Sequence, residues 1–243
     1  MQREALESRV AIVTGAGRGI GRCIALTLAR NGARVSLASR TLSELETVRH
    51  EIEAEGGEAA SFPADVTLES DVSSLVKRTV ERFGRLDILV NNAGMGIFKP
   101  LVETTAGEWD QIMRVNARGP FLLCRAAIPH LRQQTHSTIV NIASVVAVKG
   151  YANQAAYSAS KHALLGMSKA LARELQPDGI RVHVISPGGV DTELSAHARP
   201  DLDRAGLMQA QEIADIVLFL VTREGNAVID EINVRRESAT PWA

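Results

Sequence analysis

The chain has 243 residues, 45% of them hydrophobic and 23% charged, with a formal net charge of −1 at pH 7. That length suits one large α/β domain with a sizeable core. The balanced charge excludes a general binder of nucleic acid or anionic membrane, which needs a basic surplus, and an aromatic content of 4% leaves little for stacking bases.

The predicted elements alternate. A strand over 10–14 leads through the glycine-rich stretch TGAGRGIG, residues 14–21, into a helix over 20–31. A strand over 34–39 precedes a helix over 42–55, ended by Gly56-Gly57. A strand over 58–62 is followed by a helix over 68–83 with Gly84 as its stop, then a strand over 86–90. A long helical region covers 105–134 and bends near Gly119-Pro120. A strand over 137–142, a helix over 154–175 stopped by Pro177 and Gly179, and a strand over 180–186 come next. A helix over 211–221 and a last strand over 227–234 close the pattern; the tail 238–243 frays unless Trp242 docks.

Short apolar strands between longer amphipathic helices imply βαβ units and a parallel sheet buried on both faces. Seven strands fit a doubly wound, Rossmann-type α/β sheet of order 3-2-1-4-5-6-7, with residues 1–243 forming a single domain. The first residues carry no apolar signal run, and the late apolar stretch 216–221 is too short to span a bilayer. Cys23 and Cys124 match no metal or redox spacing, and the six histidines form no metal-ligand pair. A soluble cytoplasmic protein without a metal is expected.

In a doubly wound sheet, ligands bind beyond the carboxyl ends of the strands, where the strand order reverses. The glycine run lies there. Gly15 would make the tight turn, Gly17, Arg18 and Ile20 would line the loop, and Gly19 and Gly21 would open a helix whose unpaired N–H groups attract a pyrophosphate. The spacing G-x-x-x-G-x-G differs from the commonest dinucleotide fingerprint, so a turn that binds nothing stays open. At the end of the second strand stands Ser39-Arg40-Thr41, without the acid that would bond the ribose 2′-hydroxyl of NAD. Arg40 can pair a 2′-phosphate, Ser39 and Thr41 can donate to it, and Arg18 can close on it. NADP(H) is expected over NAD(H); the plain alternative is that both arginines are solvated surface charges.

The strand over 137–142 ends in Ala143-Ser144, and Tyr157 and Lys161 stand at i and i+4 of the next helix, on one face. Such a trio suits carbonyl reduction. Hydride arriving at the carbonyl carbon leaves an alkoxide that needs a proton. A free phenol, with a pKa of about 10, holds its proton tightly, and a nearby ammonium lowers that value. Lys161 would do this while holding the nicotinamide ribose. Ser144 would stabilise the charge growing on the substrate oxygen.

TGAGRGIG at 14–21, Asp65-Val66, NNAG at 91–94, Asn116, Ser144, YSASK at 157–161 and Pro187-Gly188 together resemble the short-chain dehydrogenase/reductase family in its single-domain branch. The likeness runs in order along nearly the whole chain. It implies that Asp65 and Val66 border the adenine, and that Asn91, Ala93 and Gly94 brace the cofactor. Asn116 would hold a water that relays protons to Lys161. The stretch SPGGVDT at 186–192 would cover the nicotinamide with Pro187 and Gly188, placing Val190 and Thr192 at its carboxamide. Asn92 is read instead as satisfying backbone groups.

Within the family the likeness is to 3-oxoacyl-[acyl-carrier-protein] reductases. The implied reaction is NADPH-dependent reduction of a ketone or 3-oxoacyl group, reversible as an alcohol dehydrogenase. Arg125, Arg132 and Lys149 are the candidate patch for an acyl carrier protein. A sugar, steroid or xenobiotic carbonyl, and a non-catalytic NADP-binding sensor, remain alternatives. A nucleotide-sugar epimerase would need a second domain for which the chain has no room. The interval 187–212, where a substrate lid lies in relatives, is short, so 95–101 and 145–152 would build part of the pocket. Relatives often assemble as tetramers, so a homodimer or homotetramer is expected, although the end 228–234 lacks the Asp-Gly-Gly seen in relatives.

Overall fold

The structure is a computed structural model, and it describes residues 5–198 and 203–241, excepting the side chains of His197 and Ala198. Trp242 lies outside the described residues. The strands are β1 (Val10–Thr14), β2 (Arg34–Ser39), β3 (Glu58–Pro63), β4 (Ile88–Asn91), β5 (Thr138–Ile142), β6 (Arg181–Pro187) and β7 (Glu231–Val234). They pair in parallel throughout, in the order β3-β2-β1-β4-β5-β6-β7. The doubly wound fold expected from the sequence is therefore the one observed. The helices are α1 (Gly19–Arg30), α2 (Leu42–Ala54), α3 (Glu69–Phe83), α4 (Ala106–Met113), α5 (Gly119–Leu131), α6 (Ala155–Leu175), α7 (Glu193–Ala198) and α8 (Ala210–Thr222).

Successive side chains on a strand point to opposite faces, and the strands of this sheet are apolar on both. Ala11, Val13, Val35, Leu37, Ile88 and Val90 pack against α1, α2 and α8. Ile12, Ala38, Leu89 and Ile139 pack against α3, α5 and α6. Each fully buried aliphatic side chain contributes about 1.5–3 kcal/mol relative to exposure, so truncating Leu89, which has no exposed surface, to Ala should cost about 2–5 kcal/mol.

Several boundaries differ from the sequence reading, and two of them have a physical reason. The helical region 105–134 is irregular just before Gly119-Pro120: α4, opened by a capping box between Thr105 and Glu108, passes into a π-helical turn at Arg114–Arg118 before α5 begins. Pro120 is the second residue of α5, and because the backbone before it is already helical (Arg118 φ −67°, ψ −38°), its missing N–H removes a bond that the preceding turn could have accepted. The wider turn surrounds the buried Asn116, the kind of local unwinding often found at functional sites. The last strand starts at Glu231 rather than 227, because its ladder with β6 begins only where Val184 stands opposite Glu231.

Candidate active site

The carboxyl ends of β1, β4, β5 and β6 converge on one crevice. Gly15 (φ +64°) and Gly19 (φ +54°) hold left-handed backbone that other residues adopt only with strain. At Gly21 the constraint is space: a Cβ would stand 2.1 Å from the Gly15 carbonyl oxygen. Helix α1 thus folds directly back on the turn that precedes it. Its first turn carries no acid and its N-cap, Arg18, supplies no side-chain cap, so its N-terminal N–H groups and positive dipole end remain for a ligand.

Thr14 and Asn92 fix the loop to the sheet. The Thr14 hydroxyl accepts from the N–H groups of Asn92 (3.0 Å) and Ala93 (3.1 Å) and donates to the Val90 carbonyl (3.2 Å). The Asn92 amide donates to the carbonyls of Thr14 (2.9 Å) and Gly15 (3.3 Å), so its work is on backbone groups. Arg18 does not stand free as the sequence suggested. Its guanidinium meets Glu193 of α7 at 2.5 Å and Glu44 of α2 at 3.7 Å. Arg40 is exposed on the crevice rim with no ion pair among the described residues, beside Ser39 and Thr41, whose N–H donates to the Ser39 hydroxyl (3.3 Å).

Every site residue predicted from the sequence lines this crevice except Asn91 and Asn116. Asn91 lies beneath it. The residue follows Val90 on the strand, so it points to the opposite face, where its amide donates to Asn141 (2.7 Å); Asn141 in turn donates to Ser168 (2.8 Å) and Ser168 to the Leu164 carbonyl (2.7 Å). Asn116 is fully buried. Its side chain accepts from Met95 N–H (2.9 Å) and donates to the Met95 carbonyl (2.8 Å) and to the Ser160 hydroxyl (3.0 Å). Ser160 then donates to the Tyr157 carbonyl (2.7 Å). Asn116 therefore ties the loop after β4 to the second turn of α6.

Tyr157 and Lys161 are on the same face of α6, one turn apart, with the Lys161 ammonium 5.9 Å from the centre of the phenol ring. Lys161 donates to the Ile142 carbonyl at 2.9 Å. Burial pulls its pKa down to about 8, since a charged ammonium is disfavoured away from water. Burial pushes the Tyr157 phenol up, and a hydrogen bond with Ser144 opposes that shift. The acidified phenol expected from the sequence is thus not produced by the chain's own groups. Desolvation dominates the phenol, and the ammonium is held to a backbone carbonyl. The ring of Phe98 packs on Tyr157 with centres 5.3 Å apart, and Val145, Val146, Val148 and Tyr151 extend the apolar wall.

Among the contributors that sequence reasoning missed are Glu44, Glu193 and, in the C-terminal stretch, Asn233 to Arg236 and Ser238 to Pro241, all of which line the crevice. Glu44 stands four residues beyond Arg40, in the first turn of α2, and that spacing could have drawn attention to it. Two members of the expected carrier-protein patch are already paired, Arg125 with Glu69 and Arg132 with Asp178 (2.8 Å), while Lys149 faces the crevice. Among the described residues no helix is long and apolar enough to cross a membrane.

The family model for short chain dehydrogenases matches residues 9–203. The chain belongs to the short-chain dehydrogenase family. It is accordingly an oxidoreductase. Among its relatives, an uncharacterised oxidoreductase of Staphylococcus aureus strain MRSA252 is 36% identical over 230 residues, covering 95% of this chain and 98% of the relative. The 3-oxoacyl-[acyl-carrier-protein] reductase FabG of Thermotoga maritima is 32% identical over 237 residues, covering 93% and 96%. Among solved structures, a metagenomic short-chain oxidoreductase in complex with NADP superposes with a TM-score of 0.85 at 37% identity, covering 96% of this chain and 99% of the other.

Proposed function

We propose that this short-chain dehydrogenase reduces a ketone or 3-oxoacyl carbonyl with NADPH, reversibly as an alcohol dehydrogenase, with Tyr157 as the proton donor. The observation that carries the proposal is that Tyr157, Lys161 and Ser144 gather in the same crevice as a glycine turn at an open helix N-terminus. A dinucleotide fits the residues present: Gly15, Gly17 and Gly19 keep side chains out of the loop, α1 offers its N–H groups, and Ala93, Gly94, Pro187, Gly188, Val190 and Thr192 border the remainder. Asp65 and Val66 flank the adenine end. When bound, the reduced nicotinamide supplies the hydride.

Tyr157 holds its proton at neutral pH, as a phenol of ordinary pKa about 10 already does, burial pushing that value further up, and it passes that proton to the substrate oxygen as negative charge develops there. The Ser144 hydroxyl donates to the same oxygen and stabilises the charge. Lys161 is charged below about pH 8; it steadies the phenolate left behind and holds the nicotinamide ribose. Asn116 positions this pair through Ser160 and stands where a relay to Lys161 would start. Arg40, unpaired among the described residues, takes the 2′-phosphate with Ser39 and Thr41, and this favours NADP(H) over NAD(H). The NADP complex of the metagenomic neighbour supports that preference, and the name of the Thermotoga relative supports a 3-oxoacyl substrate.

Arg125 and Arg132 are engaged with Glu69 and Asp178, which leaves Lys149 as the member of the patch open to an acyl carrier protein. Trp109 and Phe121, large and exposed on α4 and α5, favour a homodimer or homotetramer, and the reaction belongs in the cytoplasm. The test is oxidation of NADPH and NADH with a panel of ketones and 3-oxoacyl thioesters. Turnover preferring NADPH is expected. Tight cofactor binding without turnover of any carbonyl would overturn the reading in favour of a sensor.

A further inference from the structure

The residues after β7 fold back along the crevice instead of leaving the molecule. Gly188 N–H donates to the Val234 carbonyl at 2.7 Å, and Ala239 N–H donates to the Arg236 carbonyl at 3.0 Å. Arg235 is consumed in pinning this turn: its guanidinium donates to the carbonyls of Arg236 (3.1 Å), Glu237 (3.0 Å) and Ala239 (3.0 Å). Arg236 is different. It is half-buried, with its Cδ 3.6 Å from where a Cβ on Gly189 would stand, and it lines the crevice. Among the described residues it has no carboxylate partner.

The acids of the crevice are committed elsewhere. Glu44 lies against Gly17, Glu193 holds Arg18, and Asp65 caps the Thr67 N–H (2.8 Å). Among the described residues that line the crevice, no carboxylate is left for Arg236. A half-buried arginine whose Cδ and Nε lie 3.6 and 3.8 Å from where a Cβ on Gly189 would stand gains most from an anion that meets its guanidinium in a planar, bidentate geometry. It stands on the Gly188-Gly189 loop, and that loop follows the same strand, β6, whose end borders the Tyr157 site.

We infer that the substrate carries its own carboxylate, which Arg236 pairs while the carbonyl sits at Tyr157; the substrate class is a short oxo acid. This rests on the carbonyl-reductase reading above and narrows it. Arg236 is then a specificity-determining residue, contributed by a tail that the sequence pattern leaves without a role.

The test compares the acid and its methyl ester for 3-oxobutanoate, 4-oxopentanoate and 5-oxohexanoate, measured as NADPH oxidation by the full chain, with uncharged ketones of equal length alongside. For the best chain length the wild-type kcat/KM should favour acid over ester by about 10-fold or more, as loss of one charge-assisted pair implies. In Arg236→Gln that ratio should fall towards one through a rise in KM for the acid. Arg236→Lys should restore part of it, and urea unfolding should show both variants folded. An acid-to-ester ratio of one or less at every length would overturn the inference. So would an unchanged ratio in Arg236→Gln, a weakened NADPH Kd in that variant, or a preference confined to 3-oxoacyl phosphopantetheine thioesters. Turnover of ketones without preference for acids sinks this inference alone; no turnover of any carbonyl sinks the reductase reading and this with it.

Discussion

Gly21→Ala probes how closely α1 is seated on the turn that leads into it. The new Cβ would stand 2.1 Å from the Gly15 carbonyl oxygen and 2.4 Å from the Asn92 amide nitrogen. Neither neighbour can yield cheaply. The first is backbone, and the second is fixed by its bonds to Thr14 and Gly15. Relief requires α1 to move off β1 or Asn92 to let go. Overpacking of this kind costs about 1–3 kcal/mol, and each Asn92 hydrogen bond lost adds about 0.5–1.5 kcal/mol. A total of about 3 kcal/mol would lower Tm by about 6–12 °C for a chain of this size. NADPH affinity should fall as well, because the displaced helix end is the one that faces the pyrophosphate. Differential scanning calorimetry and a fluorescence titration with NADPH measure the two effects. A Tm within about 2 °C of wild type, under 1 kcal/mol on the same scale, with undiminished NADPH binding would refute the close seating of helix on turn.

Tyr157→Phe should cut turnover by about 10²–10⁴-fold, the usual contribution of a positioned proton donor, while NADPH affinity stays nearly intact; steady-state rates with retained activity would place the donor elsewhere. Arg40→Asp should move the NADPH-to-NADH ratio of kcat/KM towards NADH by about 10-fold or more, for loss of a charge-assisted bond worth about 1.5–3 kcal/mol, and an unchanged ratio would count against the phosphate assignment. Lys161→Met should abolish turnover yet raise Tm at pH 7. Burial depresses the Lys161 pKa from 10.5 to about 8, so between these values the unfolded chain binds more protons and wild-type stability rises with pH. Melts at pH 7 and 9.5 should show that rise in wild type and its loss in Lys161→Met; an equal rise in both would assign it to other groups. In wild type, the reduction rate should fall as pH climbs past about 8, where Lys161 loses its charge.

Much of the architecture was legible because its signals are local. The runs Val10–Thr14 and Thr138–Ile142 are apolar on both faces, which identifies central parallel strands, and the four glycines mark the turn where a ligand approaches. Tyr157 and Lys161 declare their shared face by their spacing alone. Asn91 could have been placed correctly by the same alternation, since Val90 beside it faces α1 and α8. Other features depend on contacts far apart in the chain. The pairing of Arg18 with Glu193 joins residues 175 positions apart, and nothing around Glu193 announces it. The π-helical turn at Arg114–Arg118 holds Asn116, whose partners Met95 and Ser160 lie 21 and 44 positions away, so no local pattern announces them. The phenol's raised pKa arises from how deeply Tyr157 is packed, a property of the assembled core rather than of its neighbours in sequence.

The chain of side-chain amides and hydroxyls from Asn91 through Asn141 to Ser168 has a consequence for how the sheet assembles. In the register observed, Asn91 stands opposite Asn141. Sliding β4 by one residue along β5 would turn Asn91 to the other side of the sheet and strand Asn141 in hydrocarbon, an orphaned polar group worth about 1–3 kcal/mol of penalty. An aliphatic pair there would tolerate such slippage far more readily. These polar residues therefore act as an alignment key: they discriminate against misregistered assembly beneath the very strands whose ends must meet the substrate.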